Sequence, residues 1–218
     1  MTNSAPTPLA HHFDNLDQQH RAATAGLWAF LATEVLLFGG MFAGYAVYRN
    51  WYGETWAAAS HKLDLVMGTV NTAVLLVSSF TMALSVQAAE AGQRQKVLRY
   101  LATTIVLGAV FLAIKGSEYA HKIETKLLPG PHFHWDGVPA DQGPAEIFFS
   151  YYFALTGTHA VHMVIGLLIL IVLWIRIWRE SRFVVNGQSV ANMGLYWHFV
   201  DVIWVFLFPL LYLIDRSH

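Results

Sequence analysis

Five stretches of the chain are apolar for long enough to cross a bilayer, and the polar segments between them carry nearly all the charge. They cover about residues 25–48, 65–89, 98–119, 147–175 and 193–214, against the roughly 20 helical residues that a 30 Å hydrocarbon layer requires. The second and fourth contain no Asp, Glu, Lys or Arg; the first contains only Glu34 and the fifth only Asp201. The third has an uncharged core of only about 15 residues, 100–114, against the roughly 20 required, so it spans if Arg99 and Lys115 snorkel outward. None alternates as a membrane strand must, and lipid leaves backbone groups no partner outside a helix or a closed barrel. The pattern predicts an all-α fold, an integral membrane bundle of five transmembrane helices. A polar tail at 1–24, read as short and mobile, precedes a single membrane domain at 25–218. The longest loop, 116–146, holds Pro129, Pro131, Pro139 and Pro144, so it is expected to be irregular yet folded against the bundle.

Composition agrees with lipid as the solvent. Of 218 residues, 56% are hydrophobic and only 12% charged, more apolar surface than a soluble sphere of this size can hide. A net charge of −1 gives no basic field for nucleic acid, and the absence of cysteine excludes disulfides, thiolate metal sites and cysteine-ligated clusters. The tail has no positive charge before Arg21 and no short apolar core, which argues against a secretory signal. Five crossings put the termini on opposite faces. Arg21, Arg94, Lys96, Arg99, Arg176, Arg179 and Arg182 flank one face; Arg49, Lys62, Lys115, Lys122, Lys126 and Arg216 flank the other. Of the latter, Lys122 and Lys126 lie in the long loop and Lys115 borders it, so the balance leans toward a cytoplasmic N-terminus.

The costliest side chain is Glu34, about nine residues or 14 Å inside the first span, near the bilayer middle. A carboxyl at that depth needs a proton or tight hydrogen bonds. The fourth span runs the opposite way, and His162 lies 13 residues, about 20 Å, before its end on the same face, with His159 one turn deeper. Glu34 and His162 are therefore expected to meet, either as a proton-relay or gating pair or as a buried pair that fixes helix packing. His159 and His162, three residues apart, could converge on an ion. His198 sits at a different depth and completes no axial pair, so no metal or haem is expected in this chain. The pairs His11/His12 and His132/His134 read as solvated. His198 and Asp201 are placed in the first turns of the fifth span, where a helix N-terminus favours the Asp charge. Glu118, at the end of the third span, is near the level of Asn71. Both sets read as inter-helix anchors. Gly39, Gly40, Gly44, Gly157 and Gly166 are expected to let helices approach closely, and Pro209 to bend the fifth.

Several segments together resemble one family, subunit III of the haem–copper terminal oxidases. They are Ala32-Thr33-Glu34-Val35-Leu36-Leu37-Phe38, Val70-Asn71-Thr72-Ala73-Val74-Leu75-Leu76, Gly116-Ser117-Glu118-Tyr119, Leu155-Thr156-Gly157-Thr158-His159-Ala160-Val161-His162, and Tyr196-Trp197-His198-Phe199-Val200-Asp201-Val202-Ile203-Trp204. The resemblance implies an accessory subunit with no catalytic residue of its own, bound to subunits I and II, which hold the haem and copper. It implies that the carboxyl at Glu34 is buried and carbodiimide-reactive, and that the chain stabilises the oxygen-reducing subunit and supports its proton uptake. It also implies bound phospholipid, with Asn71, Glu118, Trp197, His198 and Asp201 as anchors or lipid contacts, and a place in the bacterial cytoplasmic membrane. The chain resembles a five-helix form that lacks the first two helices of the longer pattern. The electron donor, cytochrome c or quinol, stays open. Two other readings are a partner of a nitric oxide reductase and a transporter acting alone.

Overall fold

The structure, a computed structural model, describes residues 13–179 and 187–215. His11, His12, Arg182 and Arg216 lie outside them. The described chain is helical throughout its elements: α1 Leu16–Trp51, α2 Gly53–His61, α3 Leu65–Glu90, α4 Arg94–Glu124, α5 Gln142–Arg179 and α6 Gly187–Tyr212. All but α2 are long and apolar enough to cross a membrane. The shortest of these five has 26 residues, about 39 Å at 1.5 Å per residue.

Polar caps explain where α1 and α3 begin and why α1 outruns its apolar core. Asn15 caps α1 by accepting from the Gln18 amide at 2.8 Å, so residues 16–24 form the first turns of α1 instead of a mobile tail. Asp64 caps α3 in the same way, accepting from Met67 at 2.9 Å. Gly92, at φ +68°, turns the chain between α3 and α4, a conformation that costs glycine little. At the end of α5, the Arg94 guanidinium donates to the Ile177 and Trp178 carbonyls, both at 2.9 Å, groups that a helix C-terminus leaves unpaired.

The core is a four-helix unit of α3, α4, α5 and α6, with α1 laid along α5 and α6. Its interior is aromatic: Trp197, Trp204, Phe111, Tyr152 and Tyr212 are fully buried. The short α2 was not foreseen. It plugs one end of the bundle with Trp56, buried against Tyr45 and Phe148. From the same corner, Tyr45 and Ser60 donate to the carbonyls of Leu210 and Leu211, closing the end of α6. The loop after α4 is shorter than expected, since α4 continues to Glu124 and Pro144 sits in the first turn of α5, where a missing amide hydrogen is harmless. It is folded as expected. Phe133 and Trp135 are buried, and the Trp135 indole donates to Pro139 O at 2.9 Å.

Close helix approach falls at some of the glycines the sequence indicated: a Cβ on Gly44 would collide with Tyr151 Oη of α5, and Gly166 meets Trp197. Gly39 and Gly40 face open space, and Gly157 has only Tyr119 Oη near it. Gly166, as expected, and the unforeseen Gly108 clamp Trp197: a Cβ on either would lie 3.0 or 2.9 Å from its indole ring. Trp197 also donates to Ser78 at 3.1 Å, so one indole ties α3, α4, α5 and α6.

Candidate functional site

Three clusters of buried polar groups lie between the helices. In the first, α1 and α5 bring Glu34 Oε2 to 2.9 Å from His162 Nε2, both side chains 12% exposed. The approach is off the direction of an aligned hydrogen bond. His162 Nδ1 is 2.8 Å from Thr158 O, a carbonyl that can only accept, so Nδ1 carries hydrogen. A carboxylate facing a bare Nε2 would then set two lone pairs against each other. One proton therefore belongs to the contact, on Glu34 or on His162, and the pair is neutral overall in either case. Phe38 packs on the imidazole, and Tyr196 donates to His162 O at 2.8 Å, which fixes the pair's surroundings from α1 and α6.

His159 does not join this pair. It faces the opposite interface, between the rings of Phe111 and Trp204 at 5.4 and 5.2 Å, and neither ring nitrogen has a hydrogen-bond partner among the described residues. The two histidines thus do not converge on an ion. No group of three or more His, Asp or Glu among the described residues could hold a metal.

The second cluster is one the sequence reading misplaced. Lys115 does not snorkel: it is 4% exposed and points into the bundle. Its Nζ lies 2.8 Å from Glu118 Oε2, 2.9 Å from Tyr212 Oη and 3.2 Å from Tyr152 Oη. Tyr212 donates to both Glu118 oxygens, at 2.7 and 2.9 Å. The rings of Tyr119, Tyr152, Trp204 and Tyr212 surround the ammonium at 5.0–5.6 Å. An ion pair closed in by π faces holds α4, α5 and α6 together. Asn71 does not reach Glu118. Its amide donates to Phe111 O of α4 at 3.3 Å.

The third cluster joins α3 to α6. Ser79 Oγ is 2.6 Å from His198 Nδ1 and lies beside the Asp201 carboxyl, whose two oxygens have no aligned hydrogen bond. Because α6 begins at Gly187, His198 and Asp201 are in mid-helix, and the helix N-terminus is too distant to favour the Asp charge. Of the five residues given as anchors or lipid contacts, Asn71, Glu118, Trp197 and Asp201 are at most 4% exposed and face other helices, so lipid cannot reach them. Of the five, only His198 comes to the outer surface, at a groove between α1 and α6.

At the end of the bundle that holds α2, Lys62 pairs with Asp136 of the long loop at 2.9 Å. This hydrogen bond and the lysine charge hold the Asp136 carboxyl below its usual 3.8. The loop histidines His132 and His134 are exposed.

Comparison with known proteins places this bundle. Residues 10–126 and 141–215 match the family described as cytochrome c oxidase subunit III. The chain is 33% identical over 194 residues to the cytochrome c oxidase subunit 3 of Corynebacterium diphtheriae, covering 88% of each chain. It is 30% identical over 207 residues to the cytochrome bo(3) ubiquinol oxidase subunit 3 of Pseudomonas aeruginosa, covering 94% of this chain and 91% of that one. It is 29% identical over 209 residues to the quinol oxidase subunit 3 of Bacillus spizizenii, covering 93% and 95%. With five helices able to cross a membrane and a match from the start of α1 to the end of α6, the chain belongs to the cytochrome c oxidase subunit III family.

Proposed function

We propose that this chain is the accessory subunit III of a proton-pumping haem–copper terminal oxidase, sitting in a bacterial cytoplasmic membrane with its N-terminus on the cytoplasmic side. It contributes no redox centre. It binds the subunits that carry haem and copper, steadies the oxygen-reducing subunit during turnover and supports its proton uptake, with phospholipid on its lipid-facing surface. The observation that carries this reading is the family match over nearly the whole bundle. The geometry is consistent with support and not transport: Glu34, Lys115, Glu118 and Trp197 each bind one helix to another, Lys115 and Glu118 through Tyr152 and Tyr212. A transporter acting alone needs a continuous polar path, and the Lys115 ammonium is instead ringed by the aromatic faces of Tyr119, Tyr152, Trp204 and Tyr212. Within this reading, the Glu34–His162 pair fixes α1 on α5 and does not conduct.

Purification in mild detergent tests the assignment. The chain should co-migrate with other oxidase subunits and with a reduced-minus-oxidised haem spectrum. A colourless chain that purifies alone from an intact membrane would overturn it.

A further inference from the structure

At the end of the bundle that holds α2, a pocket of about 160 Å³ opens where the last turn of α4 meets the long loop, lined by Lys62, His121, Lys122, Thr125, His134 and Asp136. Lys122 is the unusual member. It is 3% exposed, yet its ammonium donates only to Lys62 O and has no carboxylate within ion-pair distance among the described residues. Glu118 and Asp64 are the carboxylates whose charges reach it. Both are engaged elsewhere, Glu118 by Lys115 and Tyr212, and Asp64 by the Met67 amide. The pocket's own carboxylate, Asp136, is held by Lys62. A buried ammonium with one of its three hydrogens placed and no counter-charge is costly, and the nearby charge of Lys62 adds to the cost.

The donors define what would complete the site. Lys62 and Lys122 against Asp136 leave one positive charge in excess, before either imidazole takes a proton. His121 and His134 carry a ring N–H in any tautomer, and Lys62 keeps hydrogens beyond the one on Asp136. No group of His, Asp or Glu among the described residues could hold a metal there. Donors on three stretches of chain, at 62, 121–122 and 134, suit an anion with several acceptor oxygens, which a halide lacks. The volume is about half of the roughly 300 Å³ at which pockets for drug-sized ligands begin, so the occupant is a small ion or the polar end of a larger molecule. Position supplies the kind of anion. Lys62 lies three residues outside the apolar run that begins at Leu65, within a headgroup layer roughly 5–8 Å deep. Phosphate is the anionic group that lipids carry at that level, and water delivers it as well.

We propose that this pocket is an anion site for one phosphate group, with Lys122 Nζ as its innermost donor and His134 as the donor from the loop, so that the anion fastens the long loop to α4. The site rests on the pocket alone and does not depend on the role in turnover. The test uses the chain purified with its bound partners and washed in a phosphorus-free detergent. Phosphorus content is read first, then equilibrium binding of inorganic phosphate and of dihexanoyl phosphatidylglycerol. Lys122→Met removes the ammonium and keeps an apolar chain of similar length. The wild type should either retain one more phosphorus per chain than Lys122→Met or bind a probe that this variant does not. Phosphorus extracted as phospholipid, or binding of phosphatidylglycerol alone, identifies a lipid headgroup; binding of inorganic phosphate identifies the free ion. His134→Ala, at an exposed loop position, should weaken retention or affinity roughly tenfold, the equivalent of one hydrogen bond. Helical circular dichroism and elution volume report that each variant is folded, and if Lys122→Met is not, His134→Ala decides. Equal phosphorus and equal binding in the wild type and Lys122→Met, or displacement by chloride at equal ionic strength, would overturn the site. Unchanged retention and affinity in His134→Ala would overturn the anion's place against the loop.

Discussion

Replacing Glu118 by Gln should destabilise the bundle more than any surface change, because it leaves the Lys115 ammonium without its counter-charge in a site where Lys115 and Glu118 side chains are 5% and 3% exposed. Breaking a buried pair by removing one member costs about 3–5 kcal/mol. The four rings around Nζ and the hydroxyls of Tyr152 and Tyr212 remain to solvate the cation, and cation–π contacts of about 0.5–2 kcal/mol place the loss near the lower end, about 3 kcal/mol. Adding Lys115→Met removes the stranded charge and puts an apolar chain of similar length among the rings. The double variant should then recover to within about 1 kcal/mol of the wild type, since replacing both members of a buried pair is often nearly neutral. Denaturant titration of the reconstituted subunit, followed by tryptophan fluorescence, gives the three differences of a double-mutant cycle. The Glu118→Gln variant within about 0.5 kcal/mol of wild type, or a double variant whose loss equals the sum of the two singles, would show that the cluster is not a coupled pair.

Glu34→Gln keeps a hydrogen-bonding end beside His162 and should retain subunit association and proton pumping, whereas Glu34→Ala strands the imidazole and should loosen the subunit by about 1–3 kcal/mol in detergent dissociation assays. A Gln variant that assembles but cannot pump would instead favour a relay. Gly108→Ala sets a methyl 2.9 Å from both Leu167 and the Trp197 ring, an overpacking expected to cost about 1–3 kcal/mol and to shift tryptophan emission; an unchanged midpoint would contradict the clamp. The Asp136 carboxyl is held below 3.8 by Lys62, so its contribution to loop stability is present above that value and is lost as pH falls through the depressed one. Protection factors in the 125–141 loop, corrected for the intrinsic pH dependence of exchange, should therefore be flat from neutral pH down to about 4 and fall only below it, and Asp136→Asn should remove that step.

Depth along a helix was legible in the sequence, and direction around it was not. Glu34 and His162 were matched by counting from the ends of two antiparallel spans, a one-dimensional argument that needs only the rise per residue. Lys115 closes an apolar run, and a run's end looks the same whether the last charge turns to solvent or to the core. Its neighbours at 118 and 212 decide that, and Tyr212 is 97 residues away. The glycines divide in the same manner: Gly44 and Gly166 meet Tyr151 and Trp197 as expected, but Gly39 and Gly40 are on the outward side of α1, while Gly108, not singled out, meets Trp197 across a helix interface. Ser79 carries no signal of its own, because a serine in an apolar span reads as filler until its partner is known. The nine residues of α2 fell below any span length, and their one large apolar side chain, Trp56, passed as part of a loop. Helix ends were drawn short because charges mark where hydrocarbon stops, whereas caps such as Asn15 mark where the helix does.

The role in turnover is tested most directly by removing this subunit from the purified oxidase and following oxygen consumption from the first turnover to inactivation. The account predicts an initial rate close to that of the intact complex, slower proton uptake, and far fewer turnovers before activity is lost, with restoration when the subunit is added back. Immediate and complete loss of oxygen reduction with the haem spectrum unchanged would contradict a supporting role and require this chain to act in the chemistry itself.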